Sequence, residues 1–514
     1  MTRRPPAAVW CATALLGLLV VLWSVAVPMY RAVDEPQHLS TVLRLADGGG
    51  YPAPGTARLR PEVAASYPYA DFPGGDARTF VPSYPVYAGP APFPSYRELQ
   101  RLPVPGDQVG QVDQMTQHPP LWPLLAAAQV RLLGLRDVPA DVALVVLRIL
   151  QGLLLLPVPL LVWRTARLLG ASQVGAAAAS YLPLLAPQVL HIAASVTDGD
   201  LLLLEMAVAT PLLVLVAQGR RSVRLAAGLG LVVGLALLTK AFALLLPPCV
   251  LLAYAVGPDR RRAVRPALVS LVVASVVGGW WYALRLVTTG SLQPSGYPPG
   301  VRSQLAGQLS ATEAAEVFVG SVLKSSWRDL GWLQTPGSVL VVLVVWVLVG
   351  TPVVLALRPS AGRAARVVAL APFALLLAQI CLLEVSTYLH LHAVYGAQGR
   401  YLFPGLVGVA AVAAGGLSLP GRAARWARGA LPLACLLAQV LALRLAVRTF
   451  WAFGRPAALA WSPLPVPLLA GGLALAGVAA VAGTLLVVRG QHEDLAPGGE
   501  PGLRAVRGPA VGVS

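Results

Sequence analysis

Apolar residues are gathered into long runs separated by short polar connections, at roughly 7–29, 119–135, 139–163, 171–190, 201–217, 223–239, 241–257, 267–287, 337–357, 367–388, 402–419, 429–446 and 465–488. About 20 apolar residues suffice for a helix to cross a bilayer, so each run is weighed as a span. Arginine sets the direction. Basic clusters stand at Arg164 and Arg167, at Arg220, Arg221 and Arg224, at Arg260 to Arg265, at Arg358 to Arg366 and at Arg422 to Arg428. The positive-inside rule places them all in the cytoplasm. They share one side only if 119–135 does not cross. That run is also interrupted by Pro119, Pro120 and Pro123 and carries Arg131, which suits an interfacial helix. The pattern predicts an all-α polytopic protein of about twelve spans with both termini cytoplasmic.

The outer face then receives two long excursions, 30–138 and 288–336. The first is rich in Pro, Gly and Tyr, as in Tyr67-Pro68-Tyr69 and Tyr84-Pro85-Val86-Tyr87, and reads as a folded loop instead of regular helix. In the second, Ser310-Ala311-Thr312-Glu313 has the capping-box pattern ahead of apolar Val317, Phe318, Val322 and Leu323. This predicts an amphipathic surface helix. Gly490–Ser514 has the composition of a disordered tail.

Composition agrees with a membrane chain: 56% of the 514 residues are hydrophobic and 12% charged, with a mean hydropathy of +0.69. The first run is longer than a signal-peptide core and lacks a small-x-small cleavage site, so an uncleaved span is expected. The net charge of +17 is scattered between apolar runs and gathers on no soluble face, which argues against nucleic acid and for topology and lipid contact. Cys11, Cys249, Cys381 and Cys435 all lie inside apolar runs, without disulfide or metal-ligand spacing.

Topology also collects the polar residues. Asp34, Glu35, His38, His118, Asp198, Asp200, Lys240, Arg400 and Tyr401 all fall on the outer face near a span end. An acidic group at the membrane edge costs free energy unless it faces water, a partner or a ligand. A carboxylate there can deprotonate a hydroxyl acceptor, while Lys240, Arg400 or a divalent ion (Mg or Mn, through Asp34 and Asp198) stabilises a departing phosphate. Lys240 and Lys324 are the only lysines in an arginine-rich chain, and both fall outside. Plainer roles stand beside these. Asp198 and Asp200 suit the N-terminus of the helix beginning near Leu201. His118 suits a turn before Pro119-Pro120, and Arg400 with Tyr401 suits a span anchor. Glu205 and Glu384 lie within spans and are expected to pair inside the bundle; His390 and His392 have too weak a spacing for a metal site.

Four stretches in order are similar to a large bacterial membrane-protein family that itself resembles the GT-C glycosyltransferases, including the family 39 and arabinose- or mannose-transferring types. They are Asp34-Glu35-Pro36-Gln37-His38, Gln117-His118-Pro119-Pro120-Leu121-Trp122, Ser325-Ser326-Trp327-Arg328-Asp329-Leu330-Gly331-Trp332-Leu333, and Gln398-Gly399-Arg400-Tyr401-Leu402-Phe403-Pro404. The third departs from the family's more usual aromatic-Trp-Gly order. The resemblance implies a GT-C-like module over 1–420, with an interfacial helix at 119–135, followed by further spans at 421–489 and the tail at 490–514. It implies transfer of a sugar from a polyprenyl-phosphate donor to a glycan or glycoprotein acceptor of the cell envelope, at the outer face of the bacterial cytoplasmic membrane. Asp34 matches the family's acidic residue, base or metal contact, with Glu35 beside it as the second catalytic expectation. Asp198 or Asp200 matches a second acidic motif, and Lys240 a phosphate-contacting helix end; His38, His118, Arg400 and Tyr401 complete the expected substrate and phosphate contacts. The competing classes are a transporter or flippase of a lipid-linked intermediate, which would place polar groups near the midplane, and a non-catalytic scaffold of envelope assembly.

Overall fold

The first apolar run forms the helix Ala7–Ala26, which ends where the chain turns extended at Val27 ahead of Pro28. The same logic repeats along the chain, as apolar runs without turn residues become helices and Pro or Gly clusters end or bend them. The computed structural model describes residues 4–70, 72, 93–106, 109–298, 307–327, 329–333, 339–358, 362–451 and 466–493. Among them it is all helical, without strands beyond two isolated bridges.

Among the described residues eight helices are long and apolar enough to cross a membrane: Ala7–Ala26, Ala140–Leu168, Gly199–Ala217, Arg260–Thr289, Arg363–Leu391, Gly399–Leu417, Arg422–Phe450 and Pro467–His492. Gln173–Leu185 and Pro187–Ala193 form a pair bent by 68°, a ninth crossing if taken as one span. The bend falls at Ala186, between a short 3-10 turn over Leu182–Leu185 and Pro187. Val223–Thr239, Ala241–Val256 and Val345–Ala356 are shorter apolar helices. Each of the twelve expected spans therefore coincides with a helix or bent pair, while length and composition alone support eight or nine crossings. The run at 119–135 forms the helix Leu121–Leu132, whose 12 residues reach only about 18 Å, too short for a hydrocarbon core of about 30 Å.

The basic connections meet at one end of the bundle. Gln218 donates to the Leu168 carbonyl at 2.7 Å, the Ser172 amide to Ser418 Oγ at 2.9 Å, Gln491 to the Arg425 carbonyl at 3.2 Å, and Arg366 to the Ala356 carbonyl at 2.7 Å. Gly199–Ala217 is the central helix, with 78% of its span buried against 22% for the peripheral Pro467–His492. Close packing depends on small residues: a Cβ at Gly278 would run into the backbone of Gly234 on the neighbouring helix.

The first excursion is more helical than its composition predicts. Glu35–Ala46 is a 12-residue helix, followed by short turns at Pro61–Ala65 and Tyr96–Leu99. The helix starts because Asp34 adopts a left-handed conformation (φ 62°) and Pro36 occupies its first turn, a position that needs no amide donor. Tyr30, Tyr67 and Phe72 pack edge to face beneath it, with centroids 4.9–5.7 Å apart. The expected surface helix forms over Ala311–Ser325 with a complete Ser310–Glu313 capping box. The Tyr84–Tyr87 stretch and the tail from 494 onward lie outside the described residues.

Candidate active site

At the end of the bundle opposite the basic connections, residues from five distant segments converge. Asp34, at the head of the Glu35–Ala46 helix, accepts from Arg400 Nη2 at 3.0 Å and from Gln114 Nε2 at 3.4 Å. Asp198, at the head of the central helix, accepts from Lys240 Nζ at 2.6 Å, and its other oxygen lies 3.5 Å from His118 Nδ1. Lys240 ends the Val223–Thr239 helix, and Arg400 opens the turn Gly399–Gly405. Each acidic motif thus holds one cation from a span far along the chain.

The cations are presented to a cavity of about 450 Å³. Its wall includes Lys240, Arg400, Tyr401, Phe242, Thr197 and Asp200. Tyr401 and Phe242 pack with centroids 4.9 Å apart, and the Arg400 guanidinium lies 5.3 Å from the Tyr401 ring centre. Asp34 and Asp198 stand behind this wall and touch the cavity through the cations they hold.

Electrostatics separates the members. Burial is the largest influence on the Asp198 carboxyl and would raise it, but Lys240 in direct contact, together with His118 and His38 beside it, holds the group below the usual carboxylate range. Burial pushes His118 down to about 4 and His38 down to about 3, so both imidazoles are neutral at pH 7. The 3.5 Å approach of His118 to Asp198 is therefore not an ion pair at neutral pH. His38 stacks on His118 at 6.1 Å and meets the edge of Trp122 at 5.1 Å. It packs behind the site, and neither His38 nor His118 borders the cavity where substrate contact is expected of them.

Glu35 also departs from expectation. It is fully buried and turned away from the cavity, bridged by Arg148 Nε at 2.7 Å and Nη2 at 2.5 Å. Its oxygens further accept from the Tyr30 amide and the Val196 amide, each at 3.1 Å. Arg148 spends its remaining donors on the carbonyls of Ser24, Val27 and Pro28. With every lone-pair direction occupied, Glu35 is not available as a base; it joins the end of the first span to the segment carrying Asp198. Arg148 escaped the sequence reading, although a lone arginine within an apolar run is itself a sign of a buried partner. Gln114 and Phe242 escaped it too, and nothing in their local sequence marks them.

Residues 117–281 match a known family model. Its description is dolichyl-phosphate-mannose-protein mannosyltransferase. The matched stretch carries His118, Asp198, Asp200 and Lys240. Among solved structures it is similar to ArnT from Cupriavidus metallidurans bound to undecaprenyl phosphate, at 14% identity and a TM-score of 0.45, over 94% of this chain and 77% of that one. It is also similar to the archaeal oligosaccharyltransferase AglB from Archaeoglobus fulgidus in complex with an inhibitory peptide and a dolichol-phosphate, at 11% identity and a TM-score of 0.34, over 94% and 56%. No curated protein matches the chain.

Asp34 and Asp198, the carboxylates expected to share a divalent ion, are each engaged by a side-chain cation. Among the described residues no group of three or more His, Cys, Asp or Glu side chains is disposed to hold a metal. Glu205 has its partner inside the bundle as expected, whereas Glu384 is held by the connection that follows its own helix. Thr239 Oγ1 donates to Glu205 at 2.9 Å, and Glu384 accepts the amides of Tyr395 and Gly396 at 3.1 and 2.7 Å. His390 bonds the Ser386 carbonyl one turn back and joins no cluster.

Proposed function

We propose that the protein transfers a sugar from a polyprenyl-phosphate donor to an envelope acceptor at the outer face of the bacterial cytoplasmic membrane, with both termini cytoplasmic. The observation that carries this reading is the wall shared by Lys240 and Arg400, two cations held by buried or half-buried carboxylates around one cavity. Preorganised cations beside a leaving phosphate stabilise the charge that develops as its bond breaks. The family description over residues 117–281 points to the same donor chemistry.

Apolar space suits the donor's tail. An apolar cavity of about 350 Å³ shares Val189 and Leu203 with the cation-lined cavity. It shares Pro183 and Leu406 with a third of about 590 Å³ bordered by Trp327, Trp346 and Phe373.

In the reaction the acceptor hydroxyl oxygen attacks the anomeric carbon. The bond from that carbon to the phosphate oxygen breaks with its electron pair going to phosphate, and the hydroxyl proton passes to Asp34. Arg400 turns from Asp34 to the phosphate, which frees the carboxylate as the negative charge grows beside Lys240. The products are glycosylated acceptor and polyprenyl phosphate.

Membranes containing the protein and radiolabelled polyprenyl-phosphate mannose test the reading. Asp34→Ala is expected to lower transfer by about 10²–10⁴-fold, the usual worth of a positioned base, while the protein still inserts. Unchanged transfer in that variant overturns the assignment.

A further inference from the structure

Asp198 and Asp200 look equivalent in sequence, and the structure gives them different surroundings. Asp198 is committed to Lys240. Asp200, in the first turn of Gly199–Ala217, is 1% exposed, and its Oδ2 has no hydrogen-bond partner among the described residues. Helix capping does not account for it, because no side-chain cap bond forms at this helix start. Yet Asp200 borders the cation-lined cavity, on the same wall as Tyr401 and Phe242. A buried polar atom without a partner is disfavoured unless a ligand supplies one.

The chemistry of the wall narrows that ligand. Phosphate belongs with the cations Lys240 and Arg400, and a carboxyl oxygen without a partner accepts hydrogen bonds from hydroxyls. The paired rings of Tyr401 and Phe242 offer apolar surface to the C–H face of a sugar ring. A cavity of this kind fixes a ligand by a few convergent polar groups on an apolar lining.

We propose that Asp200 is a specificity-determining residue that accepts a hydrogen bond from a ring hydroxyl of the transferred sugar. Asp198 then positions Lys240, and the second acidic motif divides its labour between sugar and phosphate. This inference rests on the glycosyl-transfer reading.

The test measures binding and transfer separately, for the intact wild-type protein, Asp200→Ala and the shape-preserving Asp200→Asn. Probes are polyprenyl-phosphate donors carrying mannose, glucose, galactose and arabinofuranose. The wild type is expected to separate its best from its worst donor by about tenfold in affinity, the upper size of one buried hydrogen bond. In Asp200→Ala that spread collapses to about twofold through weakening of the best donor, and Asp200→Asn, which keeps one acceptor oxygen, lies between. An unchanged ranking and spread in both variants overturns the proposal. So does an effect confined to acceptor dependence, which would place Asp200 at the acceptor. If the expected binding pattern appears but the wild type transfers none of the sugars, Asp200's role stands and the transferase reading falls.

Discussion

Asp34 and Glu35 are consecutive in the chain and live in opposite surroundings. Glu35 is enclosed by Arg148 and two backbone amides, so it has nothing left to offer a substrate. Asp34 is held by Arg400 and Gln114 with its side chain 18% exposed, in contacts a substrate can replace. The left-handed backbone at Asp34 separates the two, starting a helix at Glu35 and turning the neighbouring side chains in different directions. Acidity at a membrane edge is therefore not one property: one carboxylate builds the site's frame and its neighbour is free to work.

The largest effect should come from breaking the frame. Removing one partner of a buried ion pair strands the other and typically costs about 3–5 kcal/mol. Arg148→Ala or Glu35→Ala is expected to lower the thermal midpoint in detergent sharply and to abolish transfer along with it. Glu35→Leu combined with Arg148→Met should recover much of the stability, because a matched apolar pair strands no charge. If Glu35→Ala loses transfer at full stability, the division between the two acids is wrong.

A second test uses pH. The folded protein keeps His118 neutral down to about 4 and His38 down to about 3, while the unfolded chain takes up those protons near the ordinary histidine value of about 6.5. The unfolded state thus binds more protons, and stability is lost as pH falls from about 6.5 toward 4. Asp113 opposes this. Burial raises it to about 6 although Thr41 donates to it at 3.0 Å, so the folded state takes up a proton first and gains stability as pH falls through that value. The two imidazoles therefore remove stability over this window and Asp113 offsets part of it. His38→Gln with His118→Gln should make the protein lose less of its thermal midpoint between about pH 6.5 and 4 than the wild type does. An unaltered slope would mean that these rings are not held neutral.

Much of this was legible in the sequence where a repeated physical signal existed. Hydropathy located the helices, arginine placement gathered the connections at one end, and the Ser310–Glu313 spacing marked a capped surface helix. Asp34, Asp198, Lys240 and Arg400 could be named because each stands at a span end on the same side. What stayed hidden depends on side-chain direction and on partners far away. The sequence could not show that Glu35 would meet Arg148, 113 residues on, or that only one carboxylate of Thr197-Asp198-Gly199-Asp200 would meet Lys240. Nor could Pro- and Gly-rich composition reveal the Glu35–Ala46 helix, which depends on a left-handed residue ahead of it and a buried face below.

Glu384 offers the finest test of the difference between frame and working group. Like Glu35 it accepts two backbone amides, Tyr395 and Gly396, but it has no arginine partner and sits where the chain approaches Arg400. Losing it frees two amides instead of stranding a charge, and unpaired buried donors cost about 1–3 kcal/mol. Glu384→Ala should therefore lower stability less than Arg148→Ala, and it should weaken donor binding because the segment leading to Arg400 loosens. Glu384→Gln keeps an acceptor oxygen and should recover most of both. The measurement is donor affinity beside thermal midpoint in each variant. Because Asp34 is untouched, a loss of transfer that exceeds the loss of binding would move Glu384 from the frame to the chemistry.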